Sequence, residues 1–246
     1  MSFLEERKIQ AILSSDIPPI YHIHIRKTGG TTINCAFLSN FSDDHIDEVY
    51  RKIGQKFNQR IIGNNKIFVG WNTDLINTGR FSFAFSHVPL HQLKLPPHIL
   101  RLTCLRDPVD RIISHYNMLH FYKVNDIRHP CMEEEGKWLG KSIIDFINLT
   151  PKRHLFCQLF MYSKEYSVNE ALEELVKLDF VLFNETLDDN LKELERYINW
   201  TLPTFRRRKY GHKENISEKD RNLLREIMYP EYQLLEQLDK LRPIKN

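Results

Sequence analysis

The chain has 246 residues, of which 41% are hydrophobic and 27% charged, as is ordinary for a soluble globular protein. The formal net charge is only +3, and the one dense basic run is residues 206–209, so composition gives no support for a nucleic-acid partner. This length holds one α/β domain or two small ones. Because we see no linker, repeat or low-complexity segment, we predict a single domain over residues 1–246.

The N-terminal sequence mixes acidic and basic residues within its first eight positions and lacks an apolar core, so we expect no signal peptide. No apolar run approaches the ~18 residues of a membrane span. The four cysteines are far apart and form no CxxC pair, which favours free thiols in a reducing compartment. We therefore expect a cytoplasmic location.

Strand-like and helix-like hydrophobic patterns alternate through the first half of the chain. We predict strands at 21–25, 67–69, 81–86 and 99–105, and helices at 3–14, 33–41, 46–58 and 109–119. Residues 71–80, where Asn, Gly and Thr cluster, are predicted as a loop. Strands with intervening helices favour a parallel sheet with crossover connections.

The second half of the chain is predicted to be mostly helical. Helices are predicted at 139–149, 153–162 and 187–198, an apolar helical stripe at 171–178, a strand at 180–183, and a final helical region that Pro230 interrupts. The predicted fold class is therefore α/β, with a P-loop-like central parallel sheet flanked by helices and a helix-rich C-terminal half.

The stretch Lys27-Thr28-Gly29-Gly30-Thr31-Thr32 joins the first predicted strand to a helix. Two glycines permit a tight turn, and backbone N–H groups at a helix start favour an anion. The lysine precedes both glycines, so this is not a Walker A loop, where it follows them. The alternative is an ordinary strand-to-helix turn with an exposed lysine.

A second motif follows the strand at 99–105 and runs from Arg106-Asp107-Pro108 to Ser114-His115-Tyr116. Asp107 suits the N-cap of the next helix, and Pro108 suits its first turn. Together with the turn at residues 27–32, this motif resembles the sulfotransferase superfamily that uses 3′-phosphoadenosine 5′-phosphosulfate (PAPS). The resemblance is closest to the heparan sulfate 2-O-sulfotransferase-like branch and related bacterial enzymes, and covers most of the chain from Tyr21 onward.

The resemblance implies that PAPS is bound, and that its product PAP is released, by two groups of residues. The first group holds the 5′-phosphosulfate, with Lys27 near the bridging oxygen; the second, Arg106 and Ser114, holds the 3′-phosphate. The implied cofactor-binding residues are Lys27, Thr28, Gly29, Gly30, Thr31, Thr32, Arg106 and Ser114. For Arg106 the alternative is a salt bridge to Asp110 at the helix start.

His87 directly follows the predicted strand 81–86, and ligands bind at the carboxyl ends of strands in such sheets. An imidazole titrating near neutrality suits a general base that takes the proton of an acceptor hydroxyl, and the resemblance implies that role. The alternative is a structural strand-end histidine. His91 and His115 are the fallback bases, whereas His22 and His24 are expected to be structural.

The basic run at residues 206–213 resembles a late loop that closes over the 3′-phosphate in this family, with Arg208 and Lys213 as the candidate contacts. The alternative is a solvated charge run. No spacing of histidines, cysteines and acids predicts a metal site. The acceptor is expected to be a hydroxyl of a glycan or small molecule. Residues 71–80 and 121–138 are predicted to frame its cleft, with Trp71, Tyr122 and Trp138 either stacking on it or simply packing.

Two other functions stay open at this stage. A nucleotide-binding, kinase-like phosphotransferase would share the strand–turn–helix, but it should have its lysine after the glycines and an aspartate for Mg²⁺. A non-catalytic module that binds PAPS or PAP would keep the fold without the chemistry.

Overall fold

A computed structural model of the chain describes Ile9 and residues 18–42, 45–54, 60–205 and 216–241. The strands are Ile20–Ile23 (β1), Arg60–Gly63 (β2), Lys66–Gly70 (β3), Phe83–Ser86 (β4), Leu100–Leu105 (β5) and Phe180–Phe183 (β6). The α-helices are Gly30–Leu38 (α1), Ile46–Gly54 (α2), Thr73–Asn77 (α3), Pro108–Val124 (α4), Ile143–Leu149 (α5), Lys152–Leu155 (α6), Cys157–Phe160 (α7), Val168–Leu175 (α8), Leu187–Ile198 (α9), Glu218–Ile227 (α10) and Tyr229–Leu241 (α11).

The strands form one six-stranded sheet in the order β2-β3-β4-β1-β5-β6. β2 pairs with β3 antiparallel, and the other neighbouring strands pair parallel. The prediction of an α/β fold with a mostly parallel sheet flanked by helices is therefore confirmed. Because β1 lies between β4 and β5, the carboxyl ends of these three parallel strands share one edge of the sheet.

By their contacts the described residues group into two compact units. The first contains the described residues within Met1–Ile25, Gly29–Leu105 and Leu178–Arg207, and so holds the whole sheet. The second contains those within Arg26–Thr28, Arg106–Lys177 and Arg208–Asn246 and is mostly helical. The prediction of a single domain stays a prediction.

The core of the first unit forms where helices cover the sheet. Phe37 of α1 stacks on Phe83 of β4 with ring centroids 4.0 Å apart. Leu191 and Leu194 of α9 are buried in the same cluster, which follows from their helical spacing in the sequence. Burial of each such side chain stabilises the fold by about 1.5–3 kcal/mol.

The second unit has an apolar core of its own. It combines Ile112 and Leu119 of α4 with Phe146 of α5 and Leu224 of α10, all fully buried. No helix in the described part of the chain is both long and apolar enough to cross a membrane.

Several predicted boundaries are corrected by the structure. The predicted loop 71–80 contains α3, whose start is capped by the Asn72 side chain accepting from Leu75 N–H. β2 was not predicted. The predicted helix 139–149 begins only at Ile143, because Ser142 caps it and Gly140 takes a left-handed φ of 58°.

The predicted helix 153–162 is two short helices, α6 and α7, because Phe156 leaves helical geometry at φ −100° and ψ 49°. Pro230 does divide the final helical region, and it lies in the first turn of α11, where proline is tolerated. The predicted helix 3–14 falls, apart from Ile9, outside the described residues. Residues 55–58 at the end of the predicted helix 46–58 also fall outside them.

Candidate functional site

The residues predicted to carry chemistry follow the carboxyl ends of three strands. His87 directly follows β4, Arg106 directly follows β5, and Lys27 follows β1 after a short turn. Ligands in open parallel sheets bind at this edge. The strand-end placement predicted for these residues is therefore confirmed, whereas their roles stay predictions.

The turn after β1 contains two residues in the left-handed region of backbone space. Gly29 has φ 95°, which glycine adopts freely, but Lys27 has φ 67°. Such a conformation costs a non-glycine residue free energy, and six other non-glycine residues in the described part of the chain also adopt it. Thr28, between them, is fully buried, so its predicted contact with a cofactor would come from its backbone in this conformation.

Gly29 is the N-cap of α1 and has no side chain that could cap the helix. The first turn of α1 contains no acidic residue either. An anion at this helix start would therefore meet no carboxylate from the helix itself, and the helix dipole would favour it. Thr31 is part-exposed in this first turn.

Thr32 is held within the protein at both of its donors. Its N–H donates to the Gly29 carbonyl at 2.9 Å, and its hydroxyl donates to the Phe205 carbonyl at 3.1 Å. The first turn of α1 is thus tied to the residue that precedes the basic run. Arg208 and Lys213, the predicted 3′-phosphate contacts, lie outside the described residues.

Gly30 has a packing role that the sequence did not predict. A Cβ atom at this position would lie 2.0 Å from Cδ2 of His24. The imidazole of His24 therefore occupies the space that any side chain at position 30 would need. A glycine here is required by the histidine, in addition to its predicted contact with a cofactor.

His87 is exposed, and the backbone of His24 fixes the orientation of its ring. Its Nδ1 lies 2.6 Å from the His24 carbonyl oxygen. A carbonyl oxygen only accepts, so Nδ1 carries the proton and donates it. In the neutral ring the lone pair is then on Nε2, which is the atom a general base needs.

A chain of buried hydrogen bonds lies beneath this histidine. His22 Nδ1 and Asn34 Oδ1 are 2.7 Å apart, and Asn34 Nδ2 and His24 Nδ1 are 3.2 Å apart. The amide donates through nitrogen and accepts through oxygen, so His22 is protonated on Nδ1 and His24 on Nε2. Burial lowers the pKa of His22 to about 4, partly opposed by the hydrogen bond that the ring donates to Asn34, so this ring is neutral near pH 7.

His22 and His24 are both buried and both bonded to Asn34, as expected of structural residues, and that role stays a prediction. Sequence reasoning missed Asn34 because nothing in the pattern of α1 distinguishes it from a surface residue. Only the fold brings it against His22 of β1 and His24, which follows that strand.

Arg106 is bonded through its side chain and its backbone. Its guanidinium donates to the Lys27 carbonyl oxygen at 3.1 Å. The alternative salt bridge between Arg106 and Asp110 is not formed in the described part of the chain, and Asp110 pairs with Arg221 at 3.3 Å. Asp107 caps α4 as predicted, accepting from the Asp110 N–H at 2.8 Å.

Ser114 and Arg111 lie three positions apart on α4. Ser114 is part-exposed, whereas Arg111 is fully buried. The Arg111 guanidinium donates to the carbonyls of His154 and Leu155. Arg111 therefore anchors α4 inside the second unit and is not placed to bind a ligand.

His115 is a poor candidate for the fallback base. It is 1% exposed, and its Nε2 lies 2.7 Å from Glu135 Oε2. Burial lowers its pKa to about 4, with the Glu135 hydrogen bond opposing. Burial opposes ionisation of Glu135, but the His115 hydrogen bond and the Arg26 charge lower the Glu135 pKa overall. Arg26 also donates to Glu135 at 2.8 Å. Glu135 therefore holds the side chain of Arg26, the residue that precedes Lys27.

A pocket of about 560 Å³ lies in the second unit, within the stretch 121–138 that was predicted to frame the acceptor cleft. Its lining includes Tyr122 and His129, whose rings stack 5.0 Å apart, and charged residues of both signs. Trp71 packs edge-on against Phe85 at 4.8 Å, and Trp138 lies 4.8 Å from His154. All three predicted aromatic residues thus have packing partners within the protein.

Comparison with protein-family models gives no match for this chain, and comparison with curated proteins gives no significant match. The resemblance to sulfotransferases therefore depends on the motifs themselves, and the function that it implies is a proposal.

Proposed function

We propose that this chain is a sulfotransferase that moves a sulfuryl group from PAPS to the hydroxyl of a glycan or small molecule. The observation that carries the proposal is the hydrogen bond from the Arg106 guanidinium to the Lys27 carbonyl oxygen. It joins two motifs that stand 79 positions apart in the sequence. These are the motifs expected to bind the two anionic ends of one nucleotide.

The residues present fit such a nucleotide. Lys27 and Arg106 supply cations, and the start of α1 offers N–H groups without a carboxylate in its first turn. The Thr32 bond to Phe205 brings the residue that precedes the basic run to the same helix start. In this proposal residues 27–32 act as a P-loop-like phosphosulfate loop, and Arg106 and Ser114 bind the 3′-phosphate.

When bound, PAPS supplies an activated sulfuryl group attached to a phosphate leaving group. The Lys27 ammonium offsets the negative charge that grows on the leaving oxygen, which favours the transition state over the ground state. His87 accepts the proton of the acceptor hydroxyl at Nε2, while its Nδ1–H stays bonded to the His24 carbonyl. The buried hydrogen bonds of His22, Asn34 and His24 keep that carbonyl in place.

The test is direct transfer of sulfate. The purified chain is incubated with ³⁵S-labelled PAPS and a panel of hydroxylated acceptors, and labelled product and released PAP are measured together. We expect product and PAP in equal amounts with at least one acceptor. Mg²⁺-dependent turnover of ATP without any sulfate transfer would instead support a phosphotransferase, and tight PAP binding without transfer to any acceptor would support a binding module.

A further inference from the structure

The backbone of Arg106 is held by the side chain of Gln158. The Arg106 N–H donates to Gln158 Oε1 at 2.9 Å, and Gln158 Nε2 donates to the Arg106 carbonyl at 3.0 Å. Arg106 stands between the end of β5 and the start of α4, so its backbone groups need partners outside regular structure. One buried amide side chain satisfies both of them.

Gln158 is in turn held by a buried carboxylate. Glu231 accepts from the Gln158 N–H at 2.7 Å, from Gln158 Nε2 at 3.1 Å and from the Leu159 N–H at 3.3 Å. The Arg111 Nε lies 3.7 Å from Glu231 Oε2, and both side chains are fully buried. Every one of these partners is a donor or a cation. Burial raises the pKa of Glu231, and the Arg111 charge and the hydrogen bonds from Gln158 and Leu159 oppose that rise.

Tyr232, which follows Glu231 in α11, supports Asp107, which follows Arg106 in the turn. The Tyr232 hydroxyl donates to Asp107 Oδ2 at 2.8 Å, while the other Asp107 oxygen caps α4. Two consecutive residues of the C-terminal helix thus fix two consecutive residues of the turn between β5 and α4. Neither Glu231 nor Tyr232 was singled out from the sequence.

We propose that Gln158, anchored by Glu231, is a positioning residue that sets the preference of this protein for nucleotides with a 3′-phosphate. The inference rests on the proposed function, in which Arg106 binds that phosphate. With its backbone fixed by Gln158, Arg106 has only side-chain torsions left to adjust. A guanidinium displaced by about 1 Å loses the geometry of a bidentate phosphate contact, and misplacement of a group by this distance can lower a reaction rate by ~100-fold.

The test compares binding of PAP with binding of AMP, which lacks the 3′-phosphate, by calorimetry on the full chain. Gln158→Met keeps the length of the side chain and removes both hydrogen bonds to Arg106. We expect the ratio of PAP to AMP affinity to fall at least ~10-fold, through weaker PAP binding, with AMP affinity within ~2-fold of the unmodified chain. Gln237→Met, at a part-exposed position of the same helix as Glu231, is the matched control and should keep the ratio.

A purely structural role for Gln158 would weaken both nucleotides alike, so equal losses overturn the inference. An unchanged ratio in a folded Gln158→Met chain overturns it as well. If the unmodified chain does not prefer PAP to AMP, it is the proposed function that fails.

Glu231→Gln is the second variant, because it weakens the support of Gln158 without touching Arg106, and it should lower the ratio in the same direction. Hydrogen exchange of the unmodified chain is a further test, and it does not depend on whether a variant folds. The Arg106 amide, as a donor to a buried oxygen, should exchange slowly without ligand. Exchange as fast as that of an open loop would overturn the inference that Gln158 holds the Arg106 backbone in place.

Discussion

The His24 carbonyl oxygen accepts a hydrogen bond from His87 Nδ1 at 2.6 Å, and this single contact determines which nitrogen of His87 is basic. The carbonyl belongs to a residue at the end of β1, whose ring is itself held by Asn34 at 3.2 Å. A histidine with a fixed tautomer and an exposed ring suits proton abstraction from a substrate hydroxyl.

Replacing His87 with Gln should lower the rate of sulfate transfer at least ~100-fold, because the proton acceptor is lost. PAP affinity should stay within about 2-fold, because His87 is not among the residues proposed to bind the nucleotide. The measurements are single-turnover transfer and PAP calorimetry. His98→Gln, at an exposed position, is the control; a parallel loss of rate and PAP affinity in His87→Gln would assign His87 a structural role.

Lys27 combines a proposed catalytic charge with an unfavourable backbone conformation at φ 67°. Lys27→Gly should therefore be more stable than Lys27→Ala by about 1 kcal/mol, because glycine adopts this conformation without a steric penalty. Both variants should lose at least ~100-fold in transfer rate. Urea unfolding and transfer assays test the two effects separately, and a Lys27→Gly chain of normal activity would exclude the charge from the chemistry.

Gly30→Ala should destabilise the protein by about 1–3 kcal/mol, because its methyl group would overlap the His24 ring. Gly54→Ala is the matched control. A Cβ there would lie 3.8 Å from an atom of the Trp71 side chain, which is an ordinary contact, so alanine should be neutral or slightly stabilising. Chemical denaturation of the two variants gives the comparison. Equal stability would mean that His24 does not occupy the space beside Gly30.

The stability of the fold should decrease as pH falls from about 6.5 toward 4, in part because of His22. Its folded-state pKa is about 4 because of burial, whereas an unfolded histidine titrates near 6.5. Between these values the unfolded chain binds more protons, so acid favours unfolding. At pH 5 the effect is about 2 kcal/mol.

His22→Gln removes this titration. The loss of unfolding free energy between pH 7 and pH 5 should therefore be about 2 kcal/mol smaller in the variant than in the unmodified chain. His98→Gln should leave the pH dependence as it is. Identical pH dependence in all three chains would contradict the neutral, buried state of His22.

The sequence predicted those elements whose hydrophobic pattern is local. The leucines at 187, 191 and 194 predicted α9 at its observed bounds, and the apolar run at 180–183 predicted β6. β2 was missed because only two of its four residues, Ile61 and Ile62, are apolar, and α3 was missed because its five residues span little more than one helical turn. The break at Phe156 could not be predicted from the sequence either, because it depends on the backbone conformation of a single residue.

The residues of the candidate site also divide into those that the sequence could identify and those that it could not. Lys27, His87 and Arg106 could be identified because each follows a strand, and strand ends can be read from sequence. Asn34, Gln158 and Glu231 could not, because their roles depend on partners that only the fold brings to them, 10 and 12 positions away for Asn34 and 73 positions away for the pair Gln158 and Glu231. Only the fold creates such contacts, so the residues that support a site are harder to predict than the residues that form it.

The most direct test of the proposed function is calorimetric titration of the unmodified chain with PAP and, separately, with AMP. We expect saturable PAP binding at least ~10-fold tighter than AMP binding, because Arg106 and Ser114 are proposed to bind the 3′-phosphate. Arg106→Leu should remove most of this difference. Absence of PAP binding, or equal affinity for PAP and AMP, would contradict the assignment of this chain as a PAPS-dependent sulfotransferase.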